Sequence, residues 1–284
     1  MSNQNLEQKD VEFVFKQPSA FNKIFSEKII LNIVSIISLF VLWALLVHFK
    51  IYRFSYIPGP SEVLEYGIDW VESKFFWIDT VWTTARVLGG VAAAYSIAIP
   101  LGLMIGLNKV FSDLTFPTFE ILRPVPAPAY IPIAILLFPW QEMSVAFIPF
   151  IDAFFSTLLN TIIGVKTIDR DFFRAARCLG SNPRQIFWHI VLPGALPSIA
   201  TGAAIGMGIG WMGAVAGEMI TGKWGLGYRI WESYTLIRYP LIVNGMIAIG
   251  ILGLGSSVLV RYITIRLLPW RKAITEALDE SITK

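Results

Sequence analysis

Six runs of mainly apolar residues divide the chain, at about 29–47, 81–107, 116–138, 143–165, 195–220 and 241–267. Each reaches the roughly 20 helical residues needed to cross a hydrocarbon layer about 30 Å thick. Backbone polar groups inside lipid must be satisfied within the segment or within a closed barrel. A barrel would alternate apolar and polar positions over segments of about ten residues, and these runs do not alternate. The pattern predicts an all-α membrane protein, a bundle of six spans. The first run carries nothing more polar than Asn32, Ser35 and Ser38, whereas the second contains Arg86 and Pro100. The third holds Pro124, Pro126, Pro128 and Pro132. It cannot be a regular helix, because each proline removes a backbone donor.

Composition narrows the class. Of 284 residues, 55% are hydrophobic and 15% charged, against roughly 45–50% and 25% in soluble domains. One cysteine, Cys178, excludes an internal disulfide. A net charge of +3 is too small for a nucleic-acid binder. The polar first 28 residues, and an apolar run too long for a signal h-region, predict no cleavable signal peptide. His48 and His189 stand alone, without partners at metal-ligand spacing.

Lys and Arg in the connecting segments set the expected orientation. With six spans both termini share one side, and that side collects fifteen basic residues against six on the other. Both termini are therefore expected in the cytoplasm, with 166–194 the largest internal cytoplasmic loop. Segments 50–80 and 221–240 face outward, the former as short interfacial helices. The expected division is a tail at 1–28, a membrane domain at 29–268 and a tail at 269–284.

The loop from Asp169 to Pro197 reads DRDFFRAARCLGSNPRQIFWHIVLPGALP. Its spacing predicts two short helices, with Gly180 as the left-handed residue ending the first. Ser181 is expected to cap the second, with Pro183 in its first turn. Phe187, Trp188, Ile190 and Val191 give that helix an apolar side. Pro193 and Pro197 bracket the start of the fifth span.

Ala175, Ala176, Gly180, Ile190, Leu192 and Pro193 fall at the spacing of the EAA loop. In this the chain resembles the permeases of binding-protein-dependent ABC importers. The usual glutamate is replaced by Arg174. EILRPVPAPAYIPIAILLF in span three, GEMITGKWGLGYRIWESY after span five and the closing LLPW resemble the nitrate, sulfonate, taurine and bicarbonate branch. The resemblance implies the type I importer permease architecture in a bacterial inner membrane. It implies a non-catalytic subunit that forms the path for a small anion delivered by a periplasmic or lipid-anchored binding protein. Arg174, Ala175, Ala176, Leu179, Gly180, Ile190, Leu192 and Pro193 would form the coupling surface for two ATPase subunits, which bind ATP and Mg. No GxxxxGK[ST] loop occurs in this chain, and no metal or cofactor is expected in it. The expected assembly is a homodimer in membrane lipid, without nucleic acid. A stand-alone secondary transporter or channel is the alternative reading.

Charges within spans usually face a bundle interior or a wet cavity. Arg123, Pro126, Tyr130 and Glu218 are the candidate pathway residues. Arg123 beside irregular backbone suits an oxyanion, or it pairs with Glu120 one turn away or snorkels to the cytoplasmic surface. Arg86, five residues into its run, is expected to snorkel outward. Glu218 ends span five as a pathway acid, or pairs with Lys223 or Arg229. Gly202, Gly206, Gly210, Gly213 and Gly217 recur at close-packing intervals, facing a second copy or another helix of the same bundle.

Overall fold

A computed structural model describes residues 19–49 and 57–267, which form helices and short turns with no strand among them. The described residues divide into two compact units, 19–49 with 57–64, and 65–267. In the first, α1 (Ser19–His48) begins ahead of the first apolar run. Leu31, Val34, Leu39 and Phe40 along it are exposed, as suits a helix facing lipid, while Trp43, Leu46 and Val47 are half-buried. α2 (Pro60–Glu72) starts on a proline, whose missing N–H is an orphan of the first turn in any case. The expected tails fall largely, and the LLPW motif partly, outside the described residues.

The second unit continues with α3 (Lys74–Leu107), α4 (Lys109–Leu122), a 3-10 turn (Ala127–Tyr130) and α5 (Ile131–Leu137). Then come α6 (Gln141–Lys166), α7 (Arg170–Cys178) and α8 (Pro183–Ile186). A π-helical turn (Phe187–Val191) leads into α9 (Leu192–Thr221), followed by α10 (Leu226–Thr235) and α11 (Tyr239–Leu267). Among the described residues five helical stretches are long and apolar enough to cross a membrane, or six if the α4–α5 pair is one span.

That pair bends by 94°. Leu122 ends α4, Arg123 precedes the proline run, and isolated turn bonds, Val125 N to Leu122 O and Ala129 N to Pro126 O, bridge the break. Stacked phenylalanines on α6 hold the broken span. Phe147 and Phe150 stack at 5.6 Å, Phe150 and Phe154 at 5.7 Å, while Phe138 and Phe119 close on either end.

The core lies where α3, α6 and α9 meet. Val87, Val91, Ala94, Ala98 and Ile105 pack on Ala153, Phe154, Leu158 and Ile162, and on Met207, Trp211 and Ala214. Lipid tails are as apolar as these side chains, so close contact rather than the hydrophobic effect must hold such helices together. Small residues on α3 and α9 allow that contact. Trp211 Nε1 donates to Ser256 Oγ at 2.8 Å and ties α11 to α9.

Candidate functional site

α6 carries Asp152, Ser156 and Asn160 four residues apart, a polar stripe on a membrane-crossing helix, with Lys166 at its end. The stripe lines a cavity of about 660 Å³, closed on another side by Arg123, Pro124 and Pro126 at the break between α4 and α5. Ile205 and Ile209 of α9 contribute an apolar wall. Ser156 Oγ donates to Gly202 O at 3.3 Å, and Asn160 Nδ2 to Ser156 O at 2.8 Å. Among the described residues neither Arg123 nor Lys166 forms an ion pair, so no Arg123–Glu120 pair exists. Lys166 Nζ lies 5.3 Å over the Phe116 ring. Tyr130 does not line the cavity; its hydroxyl donates to Leu122 O at 3.3 Å across the break.

A second polar cluster sits at the opposite end of α6. Arg86 is 4% exposed and does not snorkel. Its guanidinium reaches Glu142 at 2.6 Å, Glu218 at 2.7 Å and Trp224 O at 2.6 Å. Glu218, fully buried, also accepts from Thr83 Oγ1 at 3.0 Å and Gly227 N at 2.9 Å. Its partner is therefore neither Lys223 nor Arg229. Asp79 accepts from Gly225 N at 2.9 Å and Arg229 Nε at 2.8 Å, and Thr83 Oγ1 accepts from Leu226 N at 2.8 Å. Three successive amides of the α9–α10 turn are thus spent on α3 and α9 side chains. Arg86 is buried because three acceptors on three elements converge there; outward, it would leave Glu218 uncompensated. Glu218 belongs to this cluster and does not line the cavity.

The α7–α8 loop is built from its caps. Gly180, at φ +78°, ends α7 with Gly180 N bonded to Arg177 O and Ser181 N to Ala176 O, the paired bonds of a Schellman stop. The next cap is Asn182 rather than Ser181. Asn182 and Gln185 satisfy each other's backbone amides at 2.9 Å, a capping box. Pro193 does not break the chain before the fifth span. The π turn absorbs it, with Leu192 N reaching back to Phe187 O, so helical backbone runs unbroken over Pro183–Thr221.

Phe172, Leu179 and Trp188 stand exposed on this loop. Arg174, Ala175 and Gly180 are also exposed, while Ala176, Ile190, Leu192 and Pro193 are half-buried. Arg174 bonds Asp171 at 3.0 Å on the open surface. Beneath, Phe173, Ile186 and Phe187 pack on Leu103, Val165 and Val191. Gly202, Gly206, Gly210, Gly213 and Gly217 are buried; Asn160, Ala153, Asp152 and Val145 of α6 are the nearest neighbours of four, whereas Gly210 meets Val91 of α3 first and Pro149 of α6 next.

Residues 98–272 match the family described as binding-protein-dependent transport system inner membrane component. The chain belongs to that family. This permease is 34% identical to the nitrate import permease of Synechocystis sp., covering 84% of this chain and 88% of the relative. It is 29% identical to the taurine transport permease of Escherichia coli over 86% and 91%. The bicarbonate transport permease of Synechococcus elongatus is 31% identical over 80% and 84%. The chain is thus the non-catalytic, multi-pass inner-membrane subunit of an ABC importer. In this family ATP hydrolysis belongs to a separate ATPase, and solute reaches the permease from a binding protein.

Sequence reading missed Asp79, Thr83, Glu142, Ser156, Asn160 and Lys166 as site residues of the permease. Two periodic signals were available. Asp79, Thr83 and Arg86 fall at i, i+4 and i+7, and Asp152, Ser156 and Asn160 at i, i+4 and i+8, each a single polar face of a membrane helix.

Proposed function

We propose that this permease forms the path of a small oxyanion of the sulfonate, nitrate or bicarbonate class, as two copies joined to two ATPase subunits. The observation that carries the reading is the pair of cations, Arg123 and Lys166, in one cavity, neither of them in an ion pair among the described residues. A cation already held by a carboxylate cannot exchange onto a passing anion; a free guanidinium offers two parallel donors to an oxyanion. Pro126, in extended backbone at φ −64° and ψ 137°, lines the same cavity. The names of the relatives, for nitrate, taurine and bicarbonate, support the same class.

Coupling follows from the unbroken helix. In this reading α7 and α8 dock on the ATPase through Leu179, Trp188 and the surface around Arg174, Ala175, Ala176 and Gly180, with Ile190, Leu192 and Pro193 carrying the displacement into α9. The helical stretch Pro183–Thr221 has 39 residues, about 58 Å at 1.5 Å per residue. It links the loop to the glycine ridge against α6 and, at its far end, to Glu218. Closure of the ATPase dimer then shifts the cavity wall, with the π turn as the point of give. The basic bias of the loops supports both termini and the α7–α8 loop on the cytoplasmic side. Pull-down from mild detergent tests the assembly: a 2:2 ratio with an ATPase is expected, and recovery of the chain alone, still moving an anion without ATP, would overturn it.

A further inference from the structure

Among the described residues Asp152 is the exception to the other inner acids. Glu218 and Asp79, both fully buried, have their carboxylate oxygens bonded by arginine, threonine or backbone N–H groups. Asp152 lies near the middle of α6, half-buried, and its carboxylate accepts no hydrogen bond and forms no ion pair among the described residues. It lines the cavity that Arg123 and Lys166 share. On its α9 side stands Gly213, where an added Cβ would strike Asp152 Oδ2. The missing side chain leaves room for the carboxylate of this cavity-lining residue. Lys166 is 14 residues further along the same helix, about 21 Å away along the axis, too far to neutralise it. An unpaired carboxylate at membrane depth is costly to keep, and it opposes a solute carrying negative charge alone.

We infer that Asp152 is a cation subsite of the pathway, accepting charge-assisted hydrogen bonds from an ammonium group. The solute that fits carries a positive centre as well as an oxyanion, rather than being a simple inorganic anion. This rests on the reading of the cavity as the path. Arg123 and Lys166 engage the anionic end, and Asp152 engages the cationic end as the solute passes the middle of α6. Ser156 and Asn160, each one turn further on, continue the polar track.

The test measures charge preference inside the cavity and needs no known substrate. In the full permease–ATPase complex carrying Cys178→Ser, a thiol is placed one turn from Asp152 by Ser156→Cys. It is labelled with methanethiosulfonate reagents carrying a trimethylammonium or a sulfonate group, each rate being normalised to a free thiol. The cationic reagent is expected to react faster than its anionic counterpart by roughly tenfold, the scale of one charge at contact in a partly wet site. Adding Asp152→Asn should abolish or reverse that preference. A ratio unmoved by Asp152→Asn overturns the inference. A second thiol from Ile163→Cys, near Lys166, separates the two readings. Preference there for the anionic reagent, with no Asp152 effect at position 156, sinks the cation subsite and leaves the oxyanion path standing. Labelling at neither position refutes both.

Discussion

Arg86 and Glu218 lie 2.7 Å apart with side chains 3% and 0% exposed, joining α3 to the end of α9 across 132 residues of chain. The pair anchors the α9–α10 turn through Trp224 O and Gly227 N. Removing one member of a buried pair leaves the other charge uncompensated, at about 3–5 kcal/mol. Arg86→Met is therefore expected to lower the thermal midpoint in detergent sharply. Glu142→Gln, at a position whose side chain is 45% exposed, should cost under about 1 kcal/mol. Equal losses for the two variants would contradict the burial argument.

Gly225 sits at φ +127° and ψ 161°, a region occupied almost solely by glycine. A Cβ there would stand 2.5 Å from the Glu218 carboxylate. Gly225→Ala should dismantle the turn and sharply lower the yield of folded permease. Gly250→Ala on α11 meets nothing within 4 Å and serves as the matched control, expected to be neutral or slightly stabilising. Thermal midpoints of both variants decide this, and an intact Gly225→Ala protein would refute the account of the turn.

The contrast between these two clusters explains what the amino-acid pattern could and could not reveal. Spans were legible because apolar runs of that length admit one backbone solution in lipid. Gly180 was legible too, since a local φ requirement is written in the residue itself. The irregularity of span three followed from its prolines, but its 94° bend follows from packing on the α6 phenylalanines, which no local rule supplies. Arg86 was misread for the same reason. Its depth is decided by Glu218 and Glu142, distant in sequence. Ser181 and Asn182 are both good caps, and the choice went to Asn182 because Gln185 stands three residues after it.

Ile237 adopts φ +60°, a left-handed conformation that β-branched residues avoid, while remaining 71% exposed. It occupies the stop of α10, where Arg238 N reaches Ser233 O at 2.8 Å. Ile237→Gly should relieve about 1–2 kcal/mol of backbone strain. The thermal midpoint should rise by roughly 2–8 °C, at about 2–4 °C per kcal/mol for a domain of this size. A lowered midpoint would mean that the exposed side chain makes a stabilising contact in the assembly.

Docking of the ATPase is expected to depend on the exposed Trp188 and on the stop at Gly180. Trp188→Asp and Gly180→Pro should insert normally into the membrane yet lose the ATPase on co-purification, since proline cannot adopt φ +78°. Normal recovery of the ATPase with both variants would remove the loop from the coupling mechanism.

The most direct measurement is ATP-driven uptake of a labelled oxyanion into proteoliposomes holding the permease, its ATPase and its binding protein, for the native chain and for Arg123→Ala. Uptake at subsaturating solute should fall about tenfold or more in the variant, the loss of one charge-assisted contact. ATPase co-purification and basal hydrolysis should stay unchanged. Equal uptake by both proteins would contradict a path lined by Arg123.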